Sequence, residues 1–364
     1  MLFSQAWASA IFLAIGAESH SLVNARSAEA AGLAVTLSPS SGKATEVEVT
    51  IKNGGSNDLS LLRVGTILDE RPVQKMVVVD DAAVGEQLPF QGIELSVYYE
   101  GLESKHYEKL AAGSSVTRLV DLSSVYDFKP GTYSIVAEGT LPSVSSASKE
   151  PNSISFKSKT LSITVKESSA AEVKQILSRR SIVITEDCPA DKLKANLDGV
   201  RNCETLARAA AADAADVHSA RFVEYFKSNE TEAREHVSGR LLAVAKECST
   251  TDSGDTRVLC KDDLNVCETD GPLIAYTTWV NGYIVMCPLF YDTLPPLPKL
   301  CHKQDHATTT IHEMTHARAV YEDKAPATAD RAYGYENSTA LTSEEAMYNA
   351  DSYSLYANAV YMNC

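Results

Sequence analysis

Residues 308–319 read Thr308-Thr309-Thr310-Ile311-His312-Glu313-Met314-Thr315-His316-Ala317-Arg318-Ala319. On a helix, side chains four positions apart share one face, one turn from each other. His312 and His316 then point the same way and can grip one zinc ion. The glutamate beside the first histidine reaches the zinc-bound water as general base. The surroundings favour a helix. Three threonine hydroxyls offer N-caps before the run, and Ile311, Met314, Thr315 and Ala319 make a mostly apolar face. Neither Pro nor Gly occurs from His306 to Lys324, so four or five turns are expected. The bland alternative is an exposed helix carrying two solvated histidines.

A catalytic zinc takes three protein ligands and keeps one position open. One class of such sites places Gly and a third His soon after the second His. Here those positions hold Ala319 and Glu322, which excludes it. A second class draws a Glu from a later helix, and Glu344 and Glu345 qualify. A third candidate is Asp330, within Ala327-Thr328-Ala329-Asp330-Arg331-Ala332-Tyr333-Gly334. Together the two motifs resemble the deuterolysin family of fungal secreted metalloproteases. That family's second motif reads G-T-x-D-x-x-Y-G, and its Asp is the third zinc ligand. Thr328, Asp330, Tyr333 and Gly334 match in place, while Ala327 stands where the family has Gly. The resemblance covers roughly the C-terminal half, to Asn363-Cys364.

The resemblance implies one catalytic zinc ion held by His312, His316 and Asp330. Glu313 would take the proton of the attacking water and pass it to the leaving amine. Tyr333 would donate its phenol to the developing oxyanion, or else be a packing tyrosine near the site. Asp351 is a candidate to orient a ligand histidine, or else a solvated helix carboxylate. His302 and His306 read as structural or solvent-facing.

The chain has 364 residues and a net charge of −15. Its apolar run at 6–17 is too short to cross a bilayer and reads as a signal-peptide core. All eight cysteines lie from Cys188 onward. An even count behind a signal peptide reads as four disulfides. No C-x-x-C pair exists, which disfavours zinc held by thiolates. The family resemblance implies the pairs Cys188–Cys260, Cys267–Cys287 and Cys301–Cys364, leaving Cys203–Cys248 as an extra bridge. Residues 181–364 hold 28 Asp and Glu against 16 Lys and Arg. Such a surface disfavours nucleic acid and anionic membranes. It favours cationic protein substrates, or simply keeps a secreted enzyme soluble.

Residues 31–166 alternate like strands at 33–37, 47–52, 92–98, 131–136 and 161–165, with Asn53-Gly54-Gly55, Gly85 and Pro130-Gly131 as turns. This predicts an antiparallel β-sandwich, immunoglobulin-like in outline. A Ser-rich loop follows at 143–153. Arg179-Arg180, in a polar linker between the cysteine-free and cysteine-rich parts, reads as a kexin-type processing site. Helical patterns follow at 203–217 and 231–248. Strands at 273–280 and 283–287 flank Asn281-Gly282, the strongest two-residue hairpin signal. This hairpin either binds extended substrate along its edge or is an ordinary buried hairpin. A last helix is expected at about 343–361. Asn229 and Asn337 begin glycosylation sequons.

The expected architecture is multidomain. It comprises a signal peptide (1–18), an all-β, immunoglobulin-like sandwich propeptide with linker (19–180), and a mainly helical α+β zincin-type metalloprotease domain (181–364). The expected activity is that of a secreted zinc metalloendopeptidase cutting internal peptide bonds. The expected partners are protein and peptide substrates, basic ones among them, and a kexin-type protease. Neither nucleic acid nor membrane is expected, and the chain should be a monomer. The alternative is a secreted β-sandwich adhesion or binding protein with an inert helical domain.

Overall fold

The computed structural model describes residues 32–82, 86–144, 152–171, 188–250, 253–269 and 271–364. The apolar run at 6–17, most of the Ser-rich loop and Arg179-Arg180 lie outside them.

The N-terminal strands are β1 (Leu33–Pro39), β2 (Glu46–Asn53), β3 (Leu59–Leu62), β4 (Val77–Asp80), β5 (Glu86–Gln87), β6 (Ile93–Val97), β7 (Tyr107–Leu110), β8 (Ser115–Asp121), β9 (Gly131–Val136), β10 (Glu138–Ser143), β11 (Asn152–Lys157) and β12 (Leu161–Val165). Period-2 patterning explains them. Along β2, Val47, Val49 and Ile51 are buried, whereas Glu48 and Lys52 face solvent. Eleven of these strands pair antiparallel in three ladders, β1–β2–β8, β11–β10–β3–β7 and β12–β9–β4–β5. They enclose a core that includes Val49, Ile51, Leu61, Val78, Leu122, Ile135 and Leu141. The region is all-β as expected. The strands pair as three ladders, where an immunoglobulin-like sandwich has two sheets.

The C-terminal part adds β13 (Arg257–Leu259), β14 (Leu273–Thr278) and β15 (Tyr283–Met286). Its helices are α1 (Ala190–Ala215), α2 (Ala220–Phe226), α3 (Thr231–Cys248), α4 (Pro288–Thr293), α5 (His306–His316), α6 (Arg318–Tyr321), α7 (Tyr335–Ser338), α8 (Ser343–Met347) and α9 (Ala350–Met362). The whole is a mixed α/β structure. Small residues let the helices approach closely: Ala207, Ala210, Ala211 and Ala214 of α1 are buried in the core shared with Val237, Leu241 and Val244 of α3. A Cβ on Gly199 of α1 would stand 3.1 Å from Thr310 Oγ1 of α5, so α1 comes near the HEMTH helix at a glycine. Four disulfides brace this half: Cys188–Cys260, Cys203–Cys248, Cys267–Cys287 and Cys301–Cys364. Among the described residues no helix is long and apolar enough to cross a membrane.

Several elements differ from the sequence reading. Strand β6, expected in the N-terminal sandwich, pairs antiparallel with β14 instead and completes the sheet β13–β15–β14–β6. The hairpin does not close as a two-residue Asn-Gly turn. The ladder ends at Thr277↔Ile284, and the Gly282 amide donates to the Thr278 carbonyl at 3.0 Å. Residues 279–282 thus form a wider loop, with Gly282 at φ +61°, a conformation glycine adopts without strain. The wider loop lets Trp279 bury itself in the N-terminal core. Tertiary contact outweighs local turn preference here.

Two helices are shorter than periodicity suggests. α5 stops at His316 because Ala317 is extended (φ −68°, ψ 110°), and the Thr315 carbonyl accepts the Thr328 amide at 3.1 Å. The expected helix at 343–361 is split. Asn349 is extended and bridges in parallel to Ala329, so α8 and α9 are separate pieces.

Candidate metal centre

All 11 residues of α5 are buried. Burying Ile311 and Met314 contributes about 2–3 kcal/mol each, but the polar members need partners. The helix starts at Asp305, not at the threonines. The Asp305 carboxylate accepts the Thr308 amide at 3.1 Å and the Thr308 hydroxyl at 2.6 Å. Burial pushes its pKa up to about 7, against those hydrogen bonds. Thr310 lies inside the helix and donates to the His306 carbonyl at 2.8 Å.

Each motif histidine is oriented through Nδ1. His312 Nδ1 donates to Asp351 Oδ1 at 2.9 Å, and His316 Nδ1 donates to the Thr328 carbonyl at 3.1 Å. With those protons placed, both Nε2 atoms carry lone pairs. The two Nε2 atoms lie 3.1 Å apart. Asp330 Oδ1 lies 3.2 Å from one and 3.4 Å from the other. With both imidazoles neutral, three acceptors therefore converge, and neither Asp330 oxygen meets a hydrogen-bond partner among the described residues. Such a cluster is repulsive unless a cation joins it. The fit to zinc is quantitative: ligands at about 2.0–2.1 Å in a tetrahedron lie about 3.3 Å from one another. Among the described residues, His312, His316 and Asp330 form the one group able to hold a metal ion.

In the metal-free site the carboxylates favour a proton on these imidazoles in the cation's place. Burial opposes charge on His312, yet the Asp330 and Asp351 carboxylates outweigh it and raise its pKa well above the ordinary value. On His316 burial is likewise outweighed by Asp330. Burial would raise the pKa of Asp330, but the two imidazoles hold it below the usual carboxylate range.

Glu313 is fully buried beside this cluster. Its Oε2 accepts the Thr277 hydroxyl at 2.5 Å, while Oε1 has no partner among the described residues. Burial raises its pKa, against the pull of His312 and His316. The Tyr333 hydroxyl is also buried without a partner among the described residues. Burial above all, then Asp330, raises its pKa well above that of a free phenol, so it stays protonated.

The sequence reading passed over two residues that position the site. Asn349 is buried, and its Oδ1 accepts the amides of Arg331 and Ala332 at 2.9 and 3.0 Å. It thereby fixes the loop bearing Asp330. Its signal is only an Asn inside an apparent helix, a residue that favours caps and turns. Thr277 holds Glu313 from the neighbouring strand, which no local pattern reveals. Asp351 does more than expected of it: besides His312 it accepts the Gly334 amide at 2.8 Å and the Tyr99 hydroxyl. Glu345, the rival third ligand, instead accepts the amide and hydroxyl of Thr342 at 3.0 and 2.8 Å as a helix cap. His306 is buried, bonded to the Phe290 carbonyl at 2.7 Å and stacked on the Phe290 ring. His302 contacts the Tyr225 hydroxyl at 2.9 Å and stacks on Tyr335. Both are structural.

Comparison with known proteins identifies the family. The sequence model of the deuterolysin metalloprotease (M35) family matches residues 3–364. A neutral protease 2 homolog from Botryotinia fuckeliana is 39% identical over 327 residues, which is 89% of this chain and 90% of that protein. One from Sclerotinia sclerotiorum is 40% identical over 338 residues, 91% of each chain. Neutral protease 2 of Aspergillus oryzae is 36% identical over 323 residues, 88% of this chain and 89% of that protein. With the family match running almost end to end, the chain belongs to the deuterolysin (M35) metalloprotease family and is a metalloendopeptidase.

Proposed function

We propose that the chain is a secreted zymogen in which His312, His316 and Asp330 hold one zinc ion and Glu313 moves the proton during peptide hydrolysis. The observation that carries this reading is the convergence of three buried ligand atoms 3.1–3.4 Å apart. Zinc, when bound, supplies Lewis acidity toward a water and the scissile carbonyl. The residues supply the rest. Asp351 and the Thr328 carbonyl fix which nitrogen of each imidazole faces the ion. Thr277 pins Glu313 Oε2, leaving Oε1 to take a proton from the attacking water and return it to the leaving amine. Tyr333, kept protonated by burial, donates to the oxyanion.

The substrate backbone would pair with β14, the strand beside α5. Residues 1–18 are read as a signal peptide, 19–180 as the propeptide with a processing site at Arg179-Arg180, and 181–364 as the enzyme proper. Four disulfides fit an oxidising, secretory route. Asn229 and Asn337 are read as glycan acceptors. The adhesion alternative gains nothing from a buried site of this chemistry.

The test is zinc content and casein cleavage, with and without o-phenanthroline. Wild-type protein, after processing, should hold one zinc ion and lose activity with the chelator. Asp330→Ala should lose zinc, whereas Glu345→Ala should keep it. Full zinc retention in Asp330→Ala overturns the ligand assignment, and chelator-resistant cleavage overturns the mechanism.

A further inference from the structure

The N-terminal half carries none of the three candidate ligands, yet its hydrogen bonds reach two of them at one remove. The first route runs through Tyr99. β6 lies antiparallel along β14, the strand whose Thr277 holds Glu313. Just past the ladder the Tyr98 amide donates to the Pro272 carbonyl at 2.7 Å, and Gln304 Nε2 donates to the Val97 carbonyl at 2.9 Å. These bonds fix the chain at the point where Tyr99 leaves it. The Tyr99 ring packs against that of Tyr333, with centroids 5.6 Å apart, and its hydroxyl donates to Asp351 Oδ2. The Gly334 amide donates to the same oxygen at 2.8 Å. The other oxygen, Oδ1, takes the Nδ1 proton of His312 at 2.9 Å. One edge of the buried carboxylate is thus held by the phenol while the other aims the imidazole.

The second route runs through Thr140 and ends on the loop of Asp330. β10 pairs Thr140 with Ser155 and Pro142 with Ser153 of β11, so Thr140 and Ser153 project from the same face of that hairpin. Both hydroxyls donate to the Arg331 carbonyl, Thr140 at 2.6 Å and Ser153 at 3.4 Å. A carbonyl oxygen has lone pairs for two donors, and the shorter bond is the stronger. The Arg331 amide is held separately by Asn349 Oδ1 at 2.9 Å. The residue that follows Asp330 is therefore gripped at its amide from its own half and at its carbonyl from the other.

We propose that Tyr99 and Thr140 are positioning residues for the metal centre of the uncut chain. Tyr99 sets the His312 imidazole through Asp351, and Thr140 sets the Asp330 loop through the Arg331 carbonyl. Neither touches the ion. Groups that orient ligands in this way govern metal affinity, because a ligand free to turn must be ordered when the metal binds. In the zymogen proposed above both residues depart with residues 19–180, so their action is confined to the uncut chain. The N-terminal half then shapes the site as well as covering it. This inference rests on the zinc reading, and its test separates the two.

The experiment measures zinc affinity of the full, uncut chain by competition with a chromophoric chelator. Tyr99→Phe keeps the ring and removes the donor, and should weaken zinc about tenfold. Thr140→Val, nearly isosteric, should weaken it about threefold, whereas Thr140→Ser, which keeps the hydroxyl, should bind as wild type does. Tyr126→Phe is the control for loss of a buried phenol within the β core, where the Tyr126 hydroxyl accepts the Met76 amide at 3.0 Å. It should leave zinc affinity unchanged. Asp330→Asn is the control for the site itself. If Tyr99→Phe or Thr140→Val binds zinc as tightly as wild type while Asp330→Asn binds weakly, the role of that residue is overturned and the site stands. If Tyr126→Phe weakens zinc as much as Tyr99→Phe, the effect comes from loosening of the whole half and the proposal is overturned. If Asp330→Asn also binds as wild type, the zinc reading falls and takes this inference with it.

Discussion

The two halves of the chain reach stability by different means. Residues 32–171 contain no cysteine and rely on alternate burial of strand side chains around one core. Residues 188–364 carry all four disulfides, each internal to that half. Their central helix buries histidines, threonines and a glutamate among alanines and aromatic rings. No disulfide joins the halves. A cut between residues 171 and 188 would leave the β6–β14 ladder and a shared apolar core, in which Leu62, Val64 and Leu95 pack with Leu259, Val285 and Tyr333, to hold them. The cross-links thus fall in the half that carries the buried polar site.

The sharpest way to break this division is to remove the proton carrier. Glu313→Gln should lower turnover of the processed enzyme about 10²–10⁴-fold, with metal content and circular dichroism retained. Near wild-type turnover would move the chemistry away from α5.

Cross-linking is the next test. The Cys301–Cys364 bridge ties the loop before α5 to the end of α9 across a separation of 63 residues. Replacing both cysteines by Ser should cost about 2–4 kcal/mol in denaturant unfolding of the C-terminal half. Mild reductant should likewise unfold that half first and leave the β-rich transition in place. Simultaneous loss of both transitions would mean that the halves fold as one unit.

Third comes the positioning of Asp330. Asn349 touches no reacting atom but ties down Arg331 and Ala332. Asn349→Ala should weaken zinc about 10–100-fold, the range for groups that orient ligands. Metal competition would show it. An unchanged affinity would mean that the loop holds its shape unaided.

What was legible in the sequence follows from the range of the forces involved. The period-2 strands and the histidine pair on α5 are written in local spacing, so the five strands read from alternation all appear, whereas Asp330 is singled out only by the family resemblance. The early end of α5 is not local. Its Thr315 carbonyl bonds to Thr328, and nothing in residues 317–324 announces that. The break at Asn349 is hidden for the same reason, since the Ala329 bridge that holds it comes from a distant loop. The placement of β6 was misread because alternation marks a strand without naming its neighbour. Ile93 and Leu95 are buried on joining either sheet, and only pairing across nearly 180 residues of sequence decides which.

The smallest expected difference between the halves is their response to acid. Burial lowers the pKa of three histidines in the C-terminal half, taking His236 to about 4 and holding His302 and His306 below the ordinary imidazole value. His236 lies against the rings of Tyr321 and Tyr348, near Arg240, with Nε2 unpartnered among the described residues. A histidine whose folded pKa lies below its unfolded value gives full stability above about 6.5. That stability is lost as pH falls toward 4, because the unfolded chain then binds the extra proton. His236 is only partly buried, so its share is about 1–2 kcal/mol after allowance for solvent screening. In metal-free protein His312 and His316 act with the opposite sign, since their raised pKa values favour the folded state as pH falls. The comparison is therefore between metal-free wild type and His236→Gln, unfolded by denaturant at pH 7.5 and pH 4.5. The wild type should lose more stability on acidification than the variant, in the C-terminal transition alone. Equal losses would mean that His236 titrates normally and that the acid response of this half arises elsewhere.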